Sequence, residues 1–280
     1  MTPATDWRPA LVALDIDGTL LVPDLDAGRS TEELTPVVRE AVLAAAASGA
    51  HVVLASGRAP LSMAGMADRI GLTALAEAAG VRLHVVASNG SVVFRHPPME
   101  VVHEDTFDAT DAVRIVLEHV PGAAVAVEEH GVGYRVNRLF PDGELDGEMI
   151  VTDLAGMRLD QVSRVIIRDP ESSSEDFVRL AKLLGLQGTN YFIGWTAWLD
   201  LAPEGVSKAS GLAWACHDLG VRQEDVLAIG DGRNDTEMLA WAGRGVAMGQ
   251  APDEVKAAAD DVAPPVQDDG AAVELGRWFS

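Results

Sequence analysis

Short, unbroken apolar runs alternate along the chain with longer stretches of helical periodicity. Residues 10–14, "HVVLAS" ending at Ser56, "LHVVASNG" ending at Ser88-Asn89-Gly90, and "DVLAIGDG" ending at Asp231 all lack polar alternation. Strands buried on both faces, as in the interior of a parallel sheet, read this way. Thr35-Pro36 has the form of an N-cap followed by Pro at the first helical position, and it opens a helix expected to stop near Gly49. "SGRAPLSMAGMADRIGL" turns into another helix, and a further helix is expected to start near Asn234, Asp235 and Thr236. Strand and helix in alternation predict an α/β fold with a parallel sheet.

Residues 91–194 break that pattern. Hairpin-like strands ("SVVF", "HPPME", "VVHE") lead to a helix over about residues 108–119, then strands around "AAVAVEE", "GYRVN" and "VSRVIIRD", and a helix around "SSEDFVRLAKLLG". "RDPESSSED" reads as an exposed loop leading into that last helix. Strands outnumber helices here, which predicts a smaller α+β module (91–194) inserted into a parallel-sheet domain formed by 1–90 and 195–280. Trp195 and Trp198, at the return, are expected to pack a hinge.

Composition narrows the function classes. The chain has 280 residues, 48% hydrophobic, and a formal net charge of −22. Such an acidic surface disfavours nucleic acid and anionic membranes. A phosphorylated substrate would need a local cation. No apolar run is long enough to span a bilayer, and the N-terminus lacks the basic and apolar regions of a signal peptide. Cys216 is the single cysteine, so no internal disulfide can form, as expected in a reducing cytoplasm. Its apolar helical neighbourhood marks a buried spectator.

The candidate chemistry gathers at the strand ends, where open α/β sheets bind ligands. The first strand ends in Asp15 and Asp17, with Gly18 permitting a tight turn. The last supplies Asp231 and, a helical turn on, Asn234 and Asp235. Four carboxylates on one rim repel unless a cation joins them, and an all-oxygen set suits Mg²⁺. Ser56, Gly57 and Arg58, with Asn89 on the neighbouring strand, supply a hydroxyl, a close backbone approach and free helix N–H groups for an anion. Lys208 follows a good N-cap, Ser207, and so sits against the helix dipole, a local rule broken for some other gain. An EF-hand is excluded: its sixth and twelfth positions, Gly and Glu, would fall on Leu20 and Asp26.

The segments "DIDGT", "SGR", Lys208 and "GDGRND", in that order, resemble the four motifs of the haloacid dehalogenase-like hydrolases. "ASNGSVV", "PEGVSKASGL", "VAMGQAPDEVKAAAD" and "DDGAAVEL" are similar to the Cof-type phosphatases of subfamily IIB. The resemblance implies a Rossmann-like, doubly wound parallel-sheet core with an inserted C2-type cap that closes over the site and selects the leaving group. It implies Asp15 as nucleophile through an aspartyl-phosphate, Asp17 as acid and base, and Ser56, Gly57, Arg58, Asn89, Lys208 and Asn234 as phosphate or substrate contacts. Mg²⁺ would be held by Asp15, the Asp17 carbonyl and Asp231, with Asp235 in support. The expected activity is a cytoplasmic phosphomonoesterase for a small phosphorylated metabolite, with sugar phosphates the leading class, acting as monomer or homodimer. Glu128, His130, Arg135 and Arg168 are the candidate cap contacts. A sugar phosphomutase and a non-catalytic metabolite-binding protein remain the alternatives at this point.

Overall fold

The computed structural model describes residues 7–24, 29–30, 34–169, 189–193 and 198–279, with side chains described for all of these except 23–24, 29–30, 189–193 and 198. The expected helix over 173–185 and Trp195 lie outside the described residues, as does the side chain of Trp198. The chain divides into two compact units: Met1–Arg58, Met63–His103 and Ser207–Ser280 form one, and Ala59–Ser62 with Glu104–Val206 the other.

In the first unit the strands are β1 (Leu11–Leu14), β4 (His51–Ala55), β5 (Leu83–Ala87), β6 (Val92–His96), β7 (Glu100–Glu104), β14 (Val226–Gly230), β15 (Arg244–Ala247) and β16 (Asp261–Val262). They form one sheet in the order β16-β15-β14-β1-β4-β5-β6-β7. From β16 to β5 every pairing is parallel, and β6 turns antiparallel to β5. A short two-stranded ribbon pairs β2 (Pro23–Asp24) with β3 (Arg29–Ser30).

The apolar runs become interior strands because both faces are covered. Val12, Leu14, Leu54, Ile229 and Val246 enter one core, while Leu11, Ala13, Val53, Ala228 and Ala247 enter the other. The two-residue period of a strand divides them. Helix α1 (Pro36–Ala47) starts as its cap predicts: Thr35 Oγ1 accepts the Val38 N–H at 3.2 Å and donates to Asp269 Oδ1 at 2.6 Å. Two more helices, α2 (Pro60–Ile70) and α3 (Leu72–Ala79), follow β4.

The second unit holds α4 (Thr110–His119) and a six-stranded sheet. Its strands are β8 (Ala124–Glu129), β9 (Gly133–Val136), β10 (Glu148–Val151), β11 (Val165–Arg168), β12 (Thr189–Ile193) and β13 (Trp198–Pro203), in the order β10-β9-β8-β11-β13-β12. All pairings but β10–β9 are antiparallel. Val113 and Val116 of α4 pack on Val125, Val165 and Leu201. Arg164 and Asp200 form a buried bidentate pair, at 3.1 and 2.9 Å.

The boundaries differ from those read in the sequence, 90/91 and 194/195. Residues of β6 and β7 extend the eight-stranded sheet, so the second unit takes over only at Glu104; Trp198–Pro203 pairs with β11, so it ends at Val206. The hairpin read as part of the insert is the antiparallel edge of the large sheet.

Helix α5 (Lys208–Leu219) begins at Lys208, and the short α6 (Thr236–Trp241) follows directly on Asp235; α7 (Asp253–Ala258) and α8 (Gly270–Leu275) complete the first unit. Among the described residues no helix is long and apolar enough to cross a membrane.

Candidate active site

β1 and β14 pair in register, with Leu14 opposite Ile229, and Asp15 continues the ladder by donating its N–H to the Ile229 carbonyl at 3.0 Å. The two central strands therefore end level, and Asp15 and Asp231 emerge side by side. Carboxylate oxygens of Asp15, Asp231 and Asp235 lie within 4.8 Å of one another.

Lys208 reaches them because α5 starts very close to the end of β5. Gly90 has φ +104°, and a Cβ there would stand 2.0 Å from the Ser207 carbonyl oxygen; a Cβ on Gly211 would meet Val86 Cγ1 at 2.7 Å. Only glycine allows that approach. The helix then delivers a lysine that is 1% exposed, its Nζ donating to Asp15 Oδ1 at 2.6 Å and Asp235 Oδ1 at 2.5 Å. This is the gain behind the unfavourable position on the helix dipole.

The electrostatics follow from burial and crowding. Burial alone would lower the Lys208 ammonium's pKa, but Asp15 and Asp235 outweigh it and hold it above the ordinary lysine value. The Asp15 carboxyl is raised well above the usual range by burial and then by Asp235, against the pull of Lys208. Asp231 is pushed up to about 7, first by burial and next by Asp235. Carboxylates so placed favour a further positive charge.

Asp235 is more fully used than the other two. Its Oδ1 takes Lys208, and its Oδ2 accepts the backbone N–H groups of Asp231 at 2.9 Å and Gly232 at 2.8 Å. It shapes the loop that presents Asp231. Asp231 Oδ1, in contrast, is buried with no hydrogen-bond partner among the described residues. An all-oxygen donor set with one buried, unsatisfied carboxylate oxygen fits a hard divalent cation. The side chain of Asp17 stands outside this group. Both its oxygens are gripped by Arg58, Nε to Oδ2 at 2.8 Å and Nη2 to Oδ1 at 2.7 Å.

Ser56 is buried, and its hydroxyl accepts the Arg58 N–H at 3.2 Å. Asn89 adopts a left-handed backbone (φ 54°), and its Oδ1 accepts from Asn234 Nδ2 at 2.9 Å. A Cβ on Gly57 would lie 3.0 Å from that Asn89 oxygen. Asp15, Asp17, Ser56, Gly57, Arg58, Asn89, Lys208, Asp231, Asn234 and Asp235 thus all belong to the first unit. The sequence reading put Arg58 among the phosphate contacts, whereas its guanidinium holds Asp17. It assigned nothing to Gln250, whose amide bonds Gly18 and Asp231.

Glu128, His130, Arg135 and Arg168 fall in the second unit, where each lies near a polar or charged partner. Arg135 pairs with Glu129 and Arg168 with Glu144, while His130 lies 3.5 Å from Glu104 and Glu128 lies 3.8 Å from Arg164. Cys216 is buried, and burial pushes its thiol up to about 11, which disfavours the thiolate.

The family model of the haloacid dehalogenase-like hydrolases matches residues 12–275. The chain belongs to the haloacid dehalogenase-like hydrolases. Similar curated members of this family include a 5-amino-6-(5-phospho-D-ribitylamino)uracil phosphatase of Bacillus subtilis, 26% identical over 96% of this chain and 95% of its own. A phosphoglycolate phosphatase of Natronomonas pharaonis is 29% identical over 96% and 97%. Among solved structures, a phosphatase from Bacteroides thetaiotaomicron superposes with a TM-score of 0.74 at 27% identity, covering 99% of this chain and 98% of its own.

Gly18, next to the hydrolase's paired aspartates, gives a prediction for stability. Its φ is +86°, and a Cβ would stand 2.2 Å from Asp231 Oδ2. Gly80 shares a positive φ of +67° but faces open space. Gly80→Ala is expected to cost the roughly 1–2 kcal/mol of a left-handed alanine, and Gly18→Ala clearly more. Urea unfolding of both variants checks this; equal losses would refute the close approach.

Proposed function

We propose that this phosphatase is a Mg²⁺-dependent phosphomonoesterase that releases phosphate from a small phosphorylated metabolite, sugar phosphates being the leading class. The observation that carries the reading is Asp15, buried at the end of the central strand, held by Lys208 at 2.6 Å and faced by Asp231. In this reading Asp15 is the nucleophile, Lys208 the phosphate-neutralising cation and Asp231 a metal carboxylate, and their closeness supports it.

In this reading an Asp15 oxygen attacks phosphorus, the bond from phosphorus to the ester oxygen breaks, and Asp17 gives its proton to the departing alcohol. Asp17 then takes a proton from water as that water attacks the aspartyl-phosphate, freeing Asp15 and inorganic phosphate. In the structure Arg58 holds Asp17 as a carboxylate, so in this reading the pair opens for Asp17 to carry the proton it donates. Lys208 offsets charge on the transferring group, and Ser56 and the N–H groups beside it orient it. Mg²⁺, held by Asp15, the Asp17 carbonyl and Asp231, would supply charge neutralisation at the phosphoryl oxygens. The single buried thiol fits a reducing cytoplasm as the place of action.

The experiment is phosphate release from p-nitrophenyl phosphate and a panel of sugar phosphates, with Mg²⁺ and with EDTA. Release with Mg²⁺ that EDTA abolishes is expected. Isomerised hexose phosphate without free phosphate would replace this reading with a mutase, and release indifferent to EDTA would refute the metal's part in it.

A further inference from the structure

Gln250 lies in the connection between β15 and α7, and its amide ties three segments together. Its Oε1 accepts the Val266 N–H at 3.0 Å. That bond fixes the orientation of the amide, since only the oxygen can accept. Its Nε2 must then point the other way, where it donates to the Gly18 carbonyl at 2.6 Å and to Asp231 Oδ2 at 3.2 Å.

Each of those two contacts has a consequence. Asp231 has two oxygens, and Gln250 occupies Oδ2 while Oδ1 stays buried and without a partner among the described residues. Gly18 begins the turn after Asp15 and Asp17, and its backbone lies directly against the Asp231 carboxylate. One amide therefore holds the turn after β1 to the end of β14, the two strands that carry Asp15 and Asp231. We infer that Gln250 is a positioning residue for the cation: it fixes which oxygen Asp231 offers and holds that carboxylate at its spacing from the Asp15–Gly18 turn.

This rests on the reading of Asp15 and Asp231 as cation ligands. Removing a group that orients a ligand typically weakens metal binding by about 10–100-fold. Gln250→Glu keeps the side-chain length and an acceptor for Val266 but, when ionised, donates neither to Gly18 nor to Asp231. Gln250→Met keeps the length and removes every hydrogen bond.

The test is calorimetric titration of metal-free protein with Mg²⁺ and with Mn²⁺, for the wild type and both variants, beside circular dichroism and metal-free urea unfolding. The wild type is expected to bind, and each folded variant to bind about 10–100-fold more weakly. In turnover, the Mg²⁺ concentration for half-maximal rate should rise by a similar factor, while kcat at saturating Mg²⁺ recovers to within a few-fold of wild type. A merely structural defect would lower kcat at every Mg²⁺ concentration and would overturn the inference. So would wild-type or tighter binding by Gln250→Glu, with the metal reading left intact. If Gln250→Met fails to fold, the Gln250→Glu titration decides alone. Absence of binding by the wild type would overturn the metal reading itself, and this inference with it.

Discussion

Asp15→Asn is expected to reduce phosphate release from p-nitrophenyl phosphate by at least about 10⁴-fold, the scale of loss when a covalent nucleophile is removed. The amide is nearly isosteric and still presents an oxygen to Lys208, whose Nζ lies 2.6 Å from Asp15 Oδ1. The variant should therefore fold, and its unfolding midpoint should stay near that of the wild type. It lacks the anionic oxygen that would attack phosphorus. The loss should appear in kcat, because the phosphate contacts of the proposed reading, Lys208, Ser56 and the neighbouring N–H groups, are left in place. Steady-state kinetics at saturating Mg²⁺ make the comparison, and a rate within tenfold of wild type would remove Asp15 from the chemistry.

Lys208→Met should injure stability as much as activity. Lys208 is 1% exposed and lies between two carboxylates that have almost no contact with water, with side-chain exposures of 5% for Asp15 and 0% for Asp235. Methionine fills much of the same volume but leaves those charges facing each other. Breaking a buried ion pair by removing one partner costs about 3–5 kcal/mol. Urea unfolding without metal should show that loss. Added Mg²⁺ should restore part of it, since a ligand of the native state alone stabilises by mass action. A variant as stable as wild type in EDTA would mean that the carboxylates do not depend on the lysine.

The parallel sheet was legible in the sequence because a strand covered on both faces leaves an unbroken apolar run, and residues 11–14, 51–55 and 226–230 are such runs. The strand ends then pointed to the candidate site: Asp15, Ser56, Asn89 and Asp231 stand one or two residues beyond them. Lys208 was legible as a cation on the wrong end of a helix. The β6–β7 hairpin was not, because β7 is only half-buried, and a half-buried antiparallel strand looks alike at the edge of either sheet. Trp198–Pro203 was misplaced for a related reason. Pairing partners decide where a strand belongs, and its partner β11 lies some 30 residues back, beyond any local pattern. Arg58 and Gln250 show the same limit at the level of side chains. An arginine beside a glycine reads as an anion contact, and nothing near it in sequence reveals that its Nε and Nη2 donate to Asp17, 41 residues away. Gln250 bonds a carbonyl 232 residues away, a relation that only the folded sheet creates.

The contact between Lys208 and its two aspartates also sets a charge count. Asp15, Asp231 and Asp235 bring three negative charges when ionised, and Lys208 brings one positive, so three minus one leaves two. Two is the charge of one Mg²⁺ ion. The resident ammonium thus offsets one of the three charges and leaves a deficit that one divalent cation matches and a monovalent ion fills only halfway.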